Sequence, residues 1–330
     1  MNRTRRVVAA ATLLVSAYLL ALPFALSLFS RTHDAEKLRG YYRPLMSAKG
    51  NAHFRSNLRI VDVGGNELST VTLPRLERDL GMTEAQFNTY VAGNDPHVAA
   101  FLKRAPEVVK YLNPATEAVL AQKANYRDAD RFPVADVPVT AGPWLLLTLG
   151  IAMAVVGWLM WATASRIAMA VTVVVGMGLL VAPVALGWFH ETDAAEKVAQ
   201  AARPPFSAPV ANAVVDDIYK FDAAFKEMRA SLFPAIGAQL HKSPAELDAY
   251  LHESFPATMR LLDEWDTQMY GGAHSLSLSQ VRFMDEFHHA DATPYQTLPW
   301  LFMAPGLVLF AAAAVGLLSS RDKRARAAAA

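Results

Sequence analysis

The sequence predicts an all-α membrane protein: four transmembrane helices with two tandem-repeat, mainly helical extracytoplasmic domains. Three observations carry this. Four segments reach membrane-spanning length without an ionisable residue, the chain matches itself when shifted by 160 positions, and the stretches between paired spans read as capped amphipathic helices.

The four segments are Val7–Phe29, Pro143–Ala164, Ile167–Phe189 and Pro299–Leu318. About 20 apolar residues cross a hydrocarbon core about 30 Å thick. Arg3, Arg5 and Arg6 precede the first span, Arg166 sits in the short link between spans two and three, and Arg321, Lys323, Arg324 and Arg326 follow the fourth. These eight cations face one anion, Asp322. An up-down-up-down path puts all three segments on one side, which positive charge marks as cytoplasmic. Trp144, Trp188 and Trp300 then fall at the outer interface and Trp158 and Trp161 near the inner one, as an aromatic belt requires. The first span is too long for a signal peptide's apolar region, and no convincing cleavage site follows it.

The expected boundaries are a cytoplasmic N-terminus at 1–6, spans at 7–29, 143–164, 167–189 and 299–318, and a cytoplasmic link at 165–166. Extracytoplasmic domains occupy 30–142 and 190–298, and a basic cytoplasmic tail 319–330. A plasma-membrane, multi-pass protein with both termini cytoplasmic follows. Of all residues 53% are hydrophobic and 18% charged. That is too apolar for an average soluble domain and too charged for a chain lying wholly in lipid. The net charge of +1 lacks the basic excess of a nucleic-acid binder. The absence of cysteine excludes disulfides, thiolate metal sites and Cys nucleophiles.

The duplication pairs 7–164 with 167–318. Leu20, Pro23, Ala25, Leu26 and Phe29 fall on Leu180, Pro183, Ala185, Leu186 and Phe189. Ala35-Glu36-Lys37 falls on Ala195-Glu196-Lys197, and Arg43-Pro44 on Arg203-Pro204. Pro74, Leu80, Tyr90 and Pro96 meet Pro234, Leu240, Tyr250 and Pro256, and Pro143-Trp144-Leu145 meets Pro299-Trp300-Leu301 at an offset of 156. Two spans per copy give both copies the same topology, with a pseudo-two-fold axis along the membrane normal.

Within the domains, Thr83-x-x-Gln86 and Ser243-x-x-Glu246 are capping-box signatures. Pro96 and Pro256 break or restart a helix. Gly64-Gly65-Asn66 punctuates the first copy, but the matching Val214–Leu232 reads as a continuous helix, so helix is expected in both. Each domain is long enough to bury its own core. The first carries 15 cations and 13 anions and the second 8 and 16. Divergence without a functional role is the expected reason, with docking of the basic on the acidic domain, or a distinct partner for the acidic one, as the alternatives.

No phosphate loop, dinucleotide fingerprint or nucleophile elbow is present, so no enzyme and no cofactor is expected. The metal candidates are Asp285, His288 and His289, whose neighbouring side chains diverge on any regular element and cannot converge on one ion unaided. Glu36, Lys37, Arg43 and their counterparts Glu196, Lys197 and Arg203 are candidate contacts for a partner subunit or a lipid headgroup. The plainer reading is ion pairs and a Pro-set turn that fix the helix exit. The spans hold no Asp, Glu, Lys, Arg or His, which argues against a pump, secondary transporter or charged pore. Gly150, Gly157, Gly176, Gly178, Gly306 and Gly316 permit close helix packing.

With Ala35-Glu36-Lys37, Arg43-Pro44 and Leu73-Pro74-x-Leu76…Leu80-Gly81-Met82-Thr83-x-x-Gln86-Phe87 in view, the chain resembles uncharacterised actinobacterial four-span membrane proteins with a duplicated helix–ectodomain–helix unit. The resemblance implies localisation and no activity. The expectation is a non-enzymatic cell-envelope protein, a scaffold or accessory subunit whose partners are the bilayer and other membrane-complex subunits or lipid, with no nucleic acid. A lipid- or hydrophobe-binding module in envelope lipid transport is the alternative. A membrane sensor comes third, for want of a sizeable cytoplasmic part.

Overall fold

The computed structural model describes residues 3–134, 137–163, 165–204, 207–265, 267, 286, 288, 290, 291 and 294–329, and among them no strand occurs. The chain opens with α1 (Arg3–Ala25) and α2 (Leu28–Met46). The apolar run of the first span continues to Phe29, yet the helix stops four residues earlier. Ser27 takes a left-handed conformation (φ 51°) that the α-helix cannot propagate. Hydropathy cannot register that turn, because the residues on both sides of it are equally apolar.

Next come α3 (Ala48–Glu67), a π-helical turn (Leu68–Thr72) and α4 (Leu73–Asp79). The helix passes straight through Gly64 and Gly65. Pro74 explains the π turn: it has no N–H for the Thr70 carbonyl, and its ring crowds that turn. One extra residue is looped in, and the Leu73 N–H reaches back to the Leu68 carbonyl. Gly81 (φ 65°) closes α4, with the Met82 N–H on the Glu77 carbonyl at 3.0 Å. Then follow α5 (Glu84–Asn94), α6 (Pro96–Leu120), α7 (Lys123–Ala129) and α8 (Ala141–Thr163).

The second part of the chain contains α9 (Arg166–Ala185), α10 (Trp188–Ala202), α11 (Ala208–Glu227), a second π turn (Met228–Leu232), α12 (Phe233–Gln239), α13 (Pro244–Ser254) and α14 (Pro256–Glu264). A 3₁₀ turn (Tyr295–Thr297) leads into α15 (Leu298–Ala329). Gly187 (φ 75°) ends α9 as Ser27 ends α1, and His241 (φ 53°) stands where Gly81 does. Pro234 sets the second π turn, in which the Phe233 N–H bonds the Met228 carbonyl. Both capping boxes form: Thr83 and Ser243 each accept the backbone N–H three residues on, and Gln86 and Glu246 bond back to the cap N–H. The Ser243 hydroxyl and then its backbone N–H hold the Glu246 carboxyl below its usual value, against a smaller opposing effect of burial.

The helices divide into two compact units. One comprises residues 1–41, 122–200 and 286–330. Among the described residues four helices, all in this unit, are long and apolar enough to cross a membrane: Arg6–Ala25, Ala141–Thr163, Arg166–Ala185 and Tyr295–Leu317. α1 packs along α8 and α9 along α15, with α1 also against α15 and α8 against α9. Val15, Leu19, Met153, Leu179 and Leu309 fill one layer, and Val8, Met160, Met169 and Ala313 another. The buried hydroxyls are satisfied without leaving the bundle: Thr12 donates to the Val8 carbonyl, Thr172 to that of Ala168, and Ser16 to that of Gly150 at 2.8 Å.

The other unit comprises residues 42–121 and 201–285. It has one core drawn from both segments, and the expectation of a separate core in each is corrected here. Leu68, Leu76 and Val98 of the first segment and Met228, Leu232, Ile236, Leu261 and Leu262 of the second are essentially inaccessible. The cause is which helices pack: α3 lies on α14 and α6 on α11, so each segment's long helix is covered by a helix of the other. Phe101 stacks edge-on against Phe221 (4.7 Å) and Phe225 (5.1 Å), and Phe225 against Trp265 (5.0 Å).

Candidate functional site

The groups with most bearing on function lie at three places. In the shared-core unit, Glu67 ends α3 and its Oε2 accepts the Thr258 N–H of α14 at 2.6 Å. Glu227 ends α11 and its Oε2 accepts the Val98 N–H of α6 at 2.9 Å. Each bond places a carboxylate on the first turn of a helix supplied by the other segment, where unsatisfied N–H groups and the helix dipole both favour an anion. The residues that would normally cap these helices, Asp95 and Phe255, make no side-chain cap bond. Beside this crossing the Thr72 and Thr258 hydroxyls meet at 2.8 Å, fully buried. Gly64 lets α3 approach α14, since a Cβ there would lie 2.5 Å from that of Leu261. Arg104 on α6 reaches the buried Asp217 on α11 at 3.2 Å.

On the rim of the same unit the Tyr250 hydroxyl donates to the Asp79 carboxylate. Burial first, then that carboxylate, pushes the phenol up to about 12. His252 lies between the Asp248 carbonyl (3.0 Å) and the Asp263 carboxylate (3.2 Å), which also accepts from Arg229 at 2.6 Å. The Asp248 carbonyl is the main reason the imidazole is raised above its usual value, with Asp263 adding to it against a counteracting burial.

At the base of the bundle unit, the Glu36 carboxylate accepts the Val139 N–H at 3.0 Å and the Glu196 carboxylate the Tyr295 N–H at 3.3 Å. Each ties the helix after one span to the backbone that leads into the next. Lys37 bridges Asp34 (3.6 Å) and Glu286 (2.9 Å), and Lys197 pairs with Asp193 at 2.8 Å. Arg39 joins them by binding Asp130 at 2.5 Å. The four candidates Glu36, Lys37, Glu196 and Lys197 are thus all engaged in contacts within the chain. Arg43 stands exposed in the last turn of α2, and Arg203 half-buried just after α10.

The third place is the short helix α7 with the start of α10. The Trp188 indole N–H donates to the Pro133 carbonyl at 2.6 Å, and its ring packs edge-on against Phe132 (5.5 Å) and Phe302 (5.0 Å). His190 reaches Asp128 at 3.3 Å. Arg127 and Arg131 approach the same carboxylate only at 3.7 and 3.9 Å. Burial raises the neighbouring Glu191 carboxyl above its usual value, against the pull of Arg131 and His190.

Of the packing glycines, Gly150 and Gly157 meet Leu20 and Leu13 of α1, and Gly176 and Gly306 meet each other's helices. Gly316 meets Val8, while Gly178 faces open space. His288 is exposed, and Asp285 and His289 lie outside the described residues. Among the described residues no group of three or more His, Asp or Glu could hold a metal ion. The crossing carboxylates Glu67 and Glu227 escaped the sequence reading. Their 160-residue spacing was visible, but the helix each one caps lies far along the chain. Comparison with protein-family models, curated proteins and solved structures finds no match to the chain.

Proposed function

We propose that the chain is a non-enzymatic scaffold or accessory subunit of a membrane complex in a bacterial cell envelope. In this reading it arose by tandem duplication of a helix–ectodomain–helix unit. Both termini are cytoplasmic, and the segments between spans one and two and between spans three and four are extracytoplasmic. The observation that supports it most is the reciprocal capping by Glu67 and Glu227. It ties two distant segments into one helical body whose polar groups serve to hold helices together, which suits a protein that presents a fixed surface. The recurrence of π turns, left-handed turns and capping boxes at an interval of 160 residues supports the duplication.

Solubilisation in mild detergent followed by native gel electrophoresis tests the proposal. A discrete assembly with reproducible stoichiometry is expected. A strictly monomeric protein in membranes, detergent and nanodiscs alike contradicts it.

A further inference from the structure

We infer that Arg127 and Arg131 form a binding site for the headgroup of an anionic phospholipid at the membrane surface beside α7. The inference uses only the spanning character of the four helices and stands apart from the scaffold reading.

Depth comes first. Trp188 begins α10, three residues beyond the last residue of the span Arg166–Ala185. Its ring rests on Phe302, which belongs to the span Tyr295–Leu317. Phe132 and Pro133 are fixed to that same indole by a ring contact and a hydrogen bond. The segment is therefore moored at the level where the spans leave the hydrocarbon, the level that Trp side chains favour. Arg131 adjoins Phe132, and Arg127 stands four residues earlier, in α7.

Charge comes second. Lys123 and Arg127 lie four residues apart on one face of α7, and Arg131 follows in the turn after the helix. Arg127 is 73% and Arg131 61% exposed at the side chain. Among the described residues Asp128 is the one carboxylate within ion-pair range of both, at long distances, and it also faces His190. Asp130, the other acid of the segment, is turned to Arg39. Lys123, Arg127 and Arg131 thus stand against Asp128 and the neighbouring Glu191, which leaves one cation in excess beside Phe132. Two guanidinium forks suit the oxygens of a phosphodiester, which they can hold bidentately.

The full-length protein in mild detergent, titrated with phosphatidylglycerol and read by native mass spectrometry, tests the site. The variant Arg127→Gln/Arg131→Gln is expected to bind up to about 25-fold more weakly, at most about fivefold for each exposed arginine. Lys242→Gln/Arg260→Gln, which removes cations elsewhere, is expected to bind like wild type. Should the double variant lose its helical circular dichroism, Arg127→Gln alone serves, with up to about fivefold weakening expected. Undiminished phosphatidylglycerol binding by the folded variants overturns the site. So does equal retention of phosphatidylcholine by the wild type. Displacement of the lipid by an equal concentration of inorganic phosphate also overturns it, since the ligand would then be free phosphate.

Discussion

The Glu67 carboxylate accepts the backbone N–H of Thr258, 191 residues away in the chain, at 2.6 Å. Its counterpart at Glu227 does the same for Val98 at 2.9 Å. A hydrogen bond to a charged group contributes about 1.5–3 kcal/mol when partly buried. Glu67→Ala and Glu227→Ala are each expected to lower stability by about that amount. Glu→Gln, which keeps an acceptor, should cost less. Thermal unfolding of the purified variants measures the order.

Gly64 and Gly65 are neighbours with opposite surroundings. A Cβ on Gly64 would sit 2.5 Å from the Leu261 Cβ and 2.7 Å from the Ala257 carbonyl, whereas nothing lies within 4 Å of one on Gly65. Gly64→Ala must push α3 off α14, at about 1–3 kcal/mol. Gly65→Ala should stabilise the helix by about 0.5–1 kcal/mol. In the bundle the same contrast opposes Gly176, 2.7 Å from the Phe310 nitrogen, to Gly178, which is open. Equal melting temperatures for the paired variants would refute the packing.

Two left-handed turns are occupied by a glycine in one part of the chain and a side chain in the other. Gly81 corresponds to His241, and Gly187 to Ser27. A non-glycine residue there costs about 1–2 kcal/mol. His241→Gly and Ser27→Gly are expected to raise the melting temperature, and Gly81→Ala to lower it.

His252 gives a pH dependence. Its pKa in the folded protein is raised above 6.5, so protonation is favoured by folding. That stabilisation is fully present below pH 6.5 and fades as pH rises through the folded value. Asp263 behaves oppositely: burial would raise it, but Arg229 and His252 outweigh that and lower it. The melting temperature of His252→Gln should fall below wild type in mild acid and converge with it in mild alkali. A constant gap across that range would exclude the imidazole as the cause.

The apolar spans and the helical character were legible in the sequence because hydropathy and capping-box spacing are local signals. Thr83, Gln86, Ser243 and Glu246 announce their helix starts within four residues. The helix stops at Ser27 and Gly187 were hidden inside unbroken apolar runs. The π turns before Pro74 and Pro234 were hidden because proline reports a disturbed helix without saying how it is absorbed. The shared core was out of reach for a deeper reason. Whether Val98 and Phe101 pack against their own segment or against Phe221 and Phe225 depends on long-range topology, to which residue periodicity is blind. Glu36 and Glu196 stood out by position, but their bonds to Val139 and Tyr295 depend on backbone about 100 residues on.

The most direct measurement exploits the absence of cysteine from the chain. Thr72 and Thr258 face each other with hydroxyls 2.8 Å apart, so Thr72→Cys/Thr258→Cys places two thiols within bonding reach. Mild oxidation of the full-length protein in membranes should yield an intrachain disulfide, seen as a cross-linked peptide pair by mass spectrometry. If both thiols stay reduced, and impermeant labels reach the exposed residues Asn66 and Lys226, each replaced by cysteine in its own variant, only from opposite sides of the membrane, the shared helical unit does not exist.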